Sequence, residues 1–165
     1  MKRSSLTAMF IFILFSAQSY AQTAPAILPD FTFYKLDNSP FTNKNLATGK
    51  KLFFVFFDTG CDHCQRTITY FNQHEKDLGN AAVYLISMDN IIKINEFMNK
   101  YAKDLEVKKN VTVLQDMKYE FIRKFNPKKY PSMFLYASDK RLLLYDDDEK
   151  NASKFIQQIN AGIKK

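Results

Sequence analysis

Residues 51–78, KLFFVFFDTGCDHCQRTITYFNQHEKDL, decide the fold of this chain. The apolar run at 52–57 predicts a strand that is buried on both faces. The turn at 58–60 then leads into an amphipathic helix that carries Cys61 and Cys64 at its start. These are the 2 cysteines of the protein, so its thiol chemistry must take place here.

The position of Cys61 and Cys64 at a strand-to-helix junction has a chemical use. The free N–H groups and positive dipole end of the first helical turn stabilise an anion, which favours the thiolate of Cys61. Cys61 is therefore the predicted nucleophile. Cys64, one turn further in, is the predicted resolving group that attacks the mixed disulfide and closes the ring. The redox centre is then the Cys61–Cys64 disulfide itself, and no cofactor is predicted.

The two residues between the cysteines tune this pair. An imidazole near a thiolate favours the reduced form, so His63 would make the disulfide more oxidising. Asp62 acts in the opposite direction through like-charge repulsion, which solvent weakens. The direction of electron flow therefore stays open between reduction and oxidation or isomerisation.

A zinc site and a purely structural disulfide are weaker interpretations of the CxxC motif. The other histidine, His74, lies about ten residues down the same helix, and there is no second CxxC, so no metal site is predicted. A disulfide that closes so short a loop adds little stability, because its entropic benefit grows with loop length.

Residues 1–21 are interpreted as a cleaved export signal. Lys2 and Arg3 precede an apolar segment at 6–15, and the stretch ends in a small-x-small signal, SYA, for cleavage after Ala21. Export to the periplasm is expected, where disulfides persist, with no stable membrane insertion after cleavage. An uncleaved N-terminal membrane anchor is the alternative.

The composition predicts one ordinary globular domain over residues 22–165. It is 46% hydrophobic and 25% charged, and the 165 residues less the 21 of the signal leave a chain that can bury a full core. The net charge of +7 is mixed with acidic residues and is not gathered in arginine-rich runs. Nucleic-acid binding is therefore not predicted.

Apolar periodicity and turn signals predict an alternation of strands and helices. In chain order these are a front hairpin that begins with a strand at 31–37, the strand at 52–57, the cysteine helix to residue 78, a strand at 82–88, a helix at 91–101, a charged connector at 103–110, a short strand at 111–114, a helix at 117–125, two strands at 133–137 and 141–145, and a closing helix at 151–163. The strand-helix-strand-helix order predicts a parallel sheet core with right-handed crossovers.

This order of elements resembles the thioredoxin superfamily. The phrases PDFTFYKLDN, FFVFFDTGCDHC, VYLISMD and YPSMFLY resemble the TlpA/ResA-type periplasmic thiol-disulfide oxidoreductases over residues 27–163. The resemblance implies a thioredoxin-like α/β fold, with a central mixed β-sheet flanked by helices, an N-terminal hairpin and an inserted helical segment. It also implies client proteins with cysteines or disulfides as substrates, and an upstream membrane redox partner.

The resemblance assigns roles to the residues around a downstream proline. Pro131 would be a cis-proline that packs opposite the Cys61–Cys64 pair. Tyr130 and Ser132 would line a groove in which an extended client segment pairs with the backbone.

Four positions depart from the family pattern. Gly60 replaces an aromatic residue before the first cysteine, and His63 replaces a proline. Val55 and Thr67 stand where related proteins carry acids that accept the proton of the resolving thiol. Asp58 is the candidate replacement for that proton acceptor.

The sequence thus predicts an enzyme, an exported thiol-disulfide oxidoreductase that acts as a reductase. A disulfide oxidase or isomerase is the alternative that His63 favours. A non-catalytic module that grips peptides through the Pro131 groove is the alternative from another class. A peroxidase is disfavoured, because Asp58 occupies the position three before Cys61 where peroxiredoxins have threonine.

Overall fold

Seven strands form one mixed sheet in residues 24–162, the part of the chain that the computed structural model describes. The predicted export signal at residues 1–21 lies outside the described residues. The strands are β1 (Thr32–Lys35), β2 (Pro40–Thr42), β3 (Lys51–Phe57), β4 (Ala81–Ser87), β5 (Val111–Gln115), β6 (Ser132–Tyr136) and β7 (Leu142–Asp146). The helices are α1 (Asp62–Gln73), α2 (Ile91–Tyr101), α3 (Lys103–Glu106), α4 (Glu120–Phe125) and α5 (Ala152–Asn160).

The sheet has the order β2-β1-β5-β4-β3-β6-β7, with β3 near its centre. β3 runs parallel to β4, with Phe54 opposite Tyr84, and antiparallel to β6, with Phe54 opposite Phe134. β4 and β5 are parallel, and the β1–β2 hairpin and β7 add antiparallel strands at the two edges. The predicted thioredoxin-like α/β fold, with its mixed sheet and N-terminal hairpin, is confirmed.

The side chains of β3 alternate between two cores, one on each face of the sheet. Phe53, Val55 and Phe57 belong to the core that also contains residues of α1, α2 and α5. Leu52, Phe54 and Phe56 belong to the core built with α4 and the N-terminal hairpin. All six are at most 2% exposed, which confirms a strand buried on both faces.

Helix α1 is shorter than predicted. It ends at Gln73, and His74 leaves the helical conformation with φ −114 and ψ 27. A 3-10 turn at Glu75–Leu78 follows, in which Leu78 is fully buried. The Asn110 side chain donates to the Leu78 carbonyl at 3.0 Å. The turn after α1 is thus held by a partner more than 30 residues away, which the local pattern does not contain.

Helix α4 begins at Glu120, three residues later than predicted from 117. The buried carboxylate of Asp116 accepts from the backbone N–H groups of Glu120 and Phe121, at 2.9 Å and 2.7 Å. Tyr119 adopts a left-handed conformation with φ 55 and is exposed, so it does not belong to the apolar face of the helix.

The connector predicted at 103–110 contains the short helix α3. The Asn72 side chain accepts from the backbone N–H groups of Asp104 and Leu105, both at 2.9 Å, and Leu105 is fully buried. Across the described residues, 24–162, no helix has the length and apolar character that a membrane crossing requires.

Candidate active site

The predicted site residues meet at the C-terminal ends of the central parallel strands. The parallel strands β3, β4 and β5 all end there, and the antiparallel β6 begins there. The loop after β7 returns to this end of the sheet because β7 runs antiparallel to β6. The loops at 58–61, 88–90, 130–131 and 147–149 are therefore neighbours, although they are far apart in the sequence.

The two cysteines occupy the first turn of α1 in different environments. Cys61 is the N-cap residue, and its sulfur accepts a hydrogen bond from the backbone N–H of Cys64 at 3.4 Å. Cys61 is half-buried, whereas Cys64 is fully buried, and both are free thiols. The Cys61 sulfur is therefore accessible to another molecule, whereas the Cys64 sulfur is not.

Burial raises the pKa of the Cys64 thiol well above its ordinary value. A backbone hydrogen bond to Asp58 partly offsets this, while the hydrogen bond to Cys61 and the charges of Cys61 and Asp58 raise it further. Cys64 therefore needs a proton acceptor before it can attack a disulfide. Val55 and Thr67 are buried and supply no titratable group, whereas the half-buried Asp58 carries a carboxylate.

The loop that delivers Cys61 is fixed by two carboxylates. Asp58 accepts the backbone N–H of Gly60 at 2.8 Å through Oδ1. Asp89, at the end of β4, accepts from Thr59 twice through Oδ2. The backbone N–H of Cys61 then donates to the Asp58 carbonyl at 3.3 Å. The start of α1 is thus tied to a neighbouring strand and to its own turn.

Tyr130 and Pro131 form the facing wall of the site. Their peptide bond is cis, and Pro131 is buried. The Tyr130 ring lies 4.9 Å from the ring of Phe56. Burial and the Asp58 charge raise the pKa of the Tyr130 hydroxyl to about 12, so it is a neutral donor at physiological pH.

A cleft runs beside Pro131, between α1 and the loop after β7. The residues that line it are His63, Lys129, Tyr130, Pro131, Asp147, Asp148, Glu149 and Lys150. Ser132 is not among them, because it is fully buried and its hydroxyl donates to the Lys129 carbonyl at 2.7 Å. The structure thus brings Tyr130 and Pro131 to the cleft and places Ser132 beneath it.

His63 is held by two residues that the sequence motif did not identify. Its Nδ1 lies 2.9 Å from Arg66 Nη2 and 3.2 Å from Glu149 Oε1. Arg66 is three residues along the same helix, a spacing that puts it on the same face. Glu149 is 83 residues from Arg66 in the sequence, and its acidic run alone indicated only a solvated turn. Asp62, the other residue between the cysteines, is exposed.

Among residues 24–162, no three His, Cys, Asp or Glu side chains are grouped so as to hold a metal ion. The nucleophilic groups of the described site are the Cys61 and Cys64 sulfurs. The surrounding groups hold the loop, donate hydrogen bonds or accept protons.

Solved structures share this fold. MTB DsbF, in mixed oxidized and reduced forms, has 21% identity and a TM-score of 0.68, covering 84% of this chain and 98% of that one. A secreted Mycobacterium tuberculosis disulfide oxidoreductase homologous to E. coli DsbE has 19% identity and a TM-score of 0.64, covering 79% and 95%. The peroxidoxin BcpB from Mycobacterium tuberculosis has 14% identity and a TM-score of 0.68, covering 87% and 99%. At these identities the likeness shows the fold alone.

The fold and the paired cysteines define a thioredoxin-like oxidoreductase. Residues 25–156 match the AhpC/TSA family, which is most of the chain, so the protein belongs to that family. No curated protein has a sequence that matches this chain significantly. The predicted membership of the thioredoxin superfamily is confirmed.

Proposed function

We propose that this protein is an exported thiol-disulfide oxidoreductase that exchanges the Cys61–Cys64 disulfide with cysteines of client proteins in the periplasm, and that it works as a reductase. One observation carries the proposal. Cys61 is the N-cap residue of α1, and its sulfur accepts a hydrogen bond from the backbone N–H of Cys64, whose side chain is fully buried. This arrangement separates an attacking sulfur from a resolving one.

The exchange follows from these two environments. The Cys61 thiolate attacks one sulfur of a client disulfide, forms a mixed disulfide and releases the other client sulfur as a thiolate. Cys64 loses its proton, attacks the Cys61 sulfur and releases the second client cysteine. The client gains two electrons and two protons, and the protein is left with the Cys61–Cys64 disulfide.

The cleft beside Pro131 is the proposed client groove. His63, Tyr130 and the buried Pro131 are among the residues that line it. An extended client segment could pair with the backbone at Tyr130, as in β-strand addition. The client cysteine would then reach the half-exposed Cys61 sulfur.

The reductase direction and the location are supported by the sequence. The resemblance of the sequence to TlpA/ResA-type proteins favours reduction. A periplasmic reductase needs electrons from outside its own compartment, so an upstream membrane partner is part of the proposal. An exported mature protein that begins at Gln22 would support the assignment of residues 1–21 as a signal.

Two serine variants test the exchange. In cells that produce Cys64→Ser, mixed disulfides between Cys61 and client cysteines should accumulate, because the resolving step is blocked. Cys61→Ser is the matched control, since it makes the same atomic change one turn earlier and should trap nothing. A Cys64→Ser protein that captures no partner would contradict the proposal. Peptide capture that persists in Cys61→Ser, without turnover in the unmodified protein, would indicate a binding module instead.

The reduction potential of the Cys61–Cys64 pair decides the direction. The mature protein is equilibrated against dithiothreitol or glutathione buffers, and the dithiol fraction is measured. A value near that of thioredoxin, about −270 mV, is expected for a reductase. A value of about −120 to −180 mV would assign the protein to the oxidases or isomerases.

Peroxide reduction is a second candidate, favoured by the match to the AhpC/TSA family and by the fold shared with BcpB. In that reaction the Cys61 thiolate would take one peroxide oxygen, form a sulfenic acid and release an alcohol or water. Cys64 would then form the disulfide and release water. Hydrogen peroxide consumption in the presence of dithiothreitol, compared between the unmodified protein and Cys61→Ser, tests it.

A further inference from the structure

His63 takes part in a three-residue network that ties α1 to the loop after β7. Arg66 Nε donates to Glu149 Oε2 at 2.8 Å, and Arg66 Nη2 donates to Oε1 at 3.1 Å. The same Nη2 lies 2.9 Å from His63 Nδ1. The Glu149 side chain is 18% exposed, so the carboxylate end of the network is the more enclosed one.

The chemistry of the guanidinium fixes the role of the histidine nitrogen. Arginine has only donors, so in the hydrogen bond with Arg66 Nη2 the acceptor is His63 Nδ1, and Glu149 Oε1 lies farther from this nitrogen, at 3.2 Å. A neutral imidazole with Nδ1 as acceptor carries its proton on Nε2. The nitrogen of His63 that the network leaves unbound is therefore an N–H donor. The two-point contact with Glu149 keeps the guanidinium in the orientation that this requires.

We propose that Arg66 and Glu149 are positioning residues that hold His63 as an Nε2–H donor at the wall of the client cleft. This rests on the proposed function in one respect, since the acceptor is a thiolate of the exchange reaction. An N–H donor beside a thiolate stabilises it, both when Cys61 attacks and when a client sulfur leaves. His63 and Pro131 line the same cleft, so the donor is on the side where the client cysteine arrives.

Charged groups surround His63 on both sides of the cleft. The ionisable groups near it are Cys61, Asp62 and Arg66 at the start of α1, Lys129 before β6, and Asp147, Asp148, Glu149 and Lys150 after β7. Lys129 pairs with Asp147 at 3.5 Å, which leaves Glu149 to Arg66 and His63. The hydrogen bond from Arg66 lowers the pKa of Glu149, so its carboxylate stays charged.

A double-mutant cycle on a small disulfide tests the proposal. The rate of Cys61 with 5,5′-dithiobis(2-nitrobenzoate) is measured for the unmodified protein, Arg66→Met, His63→Ala and the double variant. Arg66→Met keeps the aliphatic stem but removes the donor. We expect Arg66→Met to lower this rate by about 2-fold to 10-fold, the range of one hydrogen bond. When His63 is already replaced by alanine, Arg66→Met should lower the rate markedly less. Arg141→Met, which removes a guanidinium paired with Asp139 far along the chain, is the control.

Equal falls in both backgrounds would overturn the proposal, because Arg66 would then act on Cys61 through its own charge. The nitrogen chemical shifts of the His63 ring give a second readout that a general structural effect would not reproduce. The Nε2–H tautomer is expected in the unmodified protein, with a mixture in Arg66→Met and in Glu149→Ala. An Nδ1–H tautomer in the unmodified protein would also overturn it. Neither readout needs a client protein. Failure to reduce client proteins would refute the proposed function, and the two readouts would still test the His63 network.

Discussion

Asp89 accepts two hydrogen bonds from Thr59, one from the backbone N–H at 2.9 Å and one from the hydroxyl at 2.8 Å. This contact joins the end of β4 to the loop that places Cys61 at the N-cap of α1. The Asp89 carbonyl in turn accepts from the Gln115 side chain at 2.8 Å, which extends the connection to β5. The position of the Cys61 sulfur is therefore set by three strands of the sheet.

Thr59→Val should slow the reaction of Cys61 and lower the stability of the protein. The substitution keeps the shape of the side chain but leaves Asp89 with one fewer donor, and a hydrogen bond to a carboxylate contributes about 1.5–3 kcal/mol. We expect a loss of about 1–2 kcal/mol in the free energy of unfolding in urea. Thr59→Ser keeps the hydroxyl and should retain most of the stability and rate. Equal behaviour of the two variants would show that the hydroxyl contact does not hold the loop.

The reduced protein should lose stability at alkaline pH because of Cys64. Its pKa is raised in the folded state, so the folded protein binds more protons than the unfolded chain above the ordinary thiol value of about 8.5. The contribution is complete below that value and is lost as pH rises towards the folded pKa. A slope of up to about 1.4 kcal/mol per pH unit is expected.

Urea unfolding under reducing conditions from pH 7 to pH 10 measures this slope, with Cys64→Ala as the reference. All other titrating groups are common to the two proteins, so the difference between their slopes reports Cys64. Parallel pH profiles would contradict a raised pKa for this thiol.

The parts of the fold that depend on local signals were predictable from the sequence. The buried strand at 52–57 and the N-capped start of α2 are encoded by neighbouring residues, and both are present. The start of α4 was not predictable, because it requires the buried Asp116 carboxylate at a bend of the chain. The apolar pattern from 117 onward does not distinguish a helical Tyr119 from an exposed left-handed one.

The same distinction applies to the candidate site. The cysteine pair and Pro131 stand in short motifs, so the sequence identified them. The contact of Glu149 with Arg66 and His63 joins residues more than 80 positions apart. They meet only because the chain after β7 returns to the end of the sheet where the cysteines lie. Ser132 was assigned to the groove by its place after Pro131, but strand pairing with Phe56 turns it inward.

Phe121→Ala should destabilise the protein strongly and loosen the wall of the cleft. The Phe121 ring stacks on Phe56 at 4.3 Å, and Phe56 supports the ring of Tyr130. Removal of a buried phenyl ring costs about 3–5 kcal/mol. Ile122→Ala, on the same helix at a position that is 44% exposed, should change the free energy of unfolding by less than about 1 kcal/mol. Similar losses for both variants in urea unfolding would contradict this account of the core.

Asp58→Asn should slow the step in which Cys64 attacks. The proposed role of Asp58 is to accept the Cys64 proton, and its charge is one of the groups that act on that thiol. Asparagine keeps the oxygen that accepts the Gly60 N–H, so the turn is preserved while the base is lost. A fall of about 100-fold, the lower end of general base contributions, is expected in this step alone.

The two steps separate in the reaction with 5,5′-dithiobis(2-nitrobenzoate). One thiolate is released when Cys61 attacks, and a second when Cys64 resolves the mixed disulfide, so the second phase reports the proton transfer. Asp62→Asn removes the same charge from the exposed side of the first turn and should leave the second phase intact. The loss of a negative charge near Cys64 by itself favours its thiolate. A second phase that is unchanged or faster in Asp58→Asn would therefore show that solvent, and not Asp58, accepts the proton.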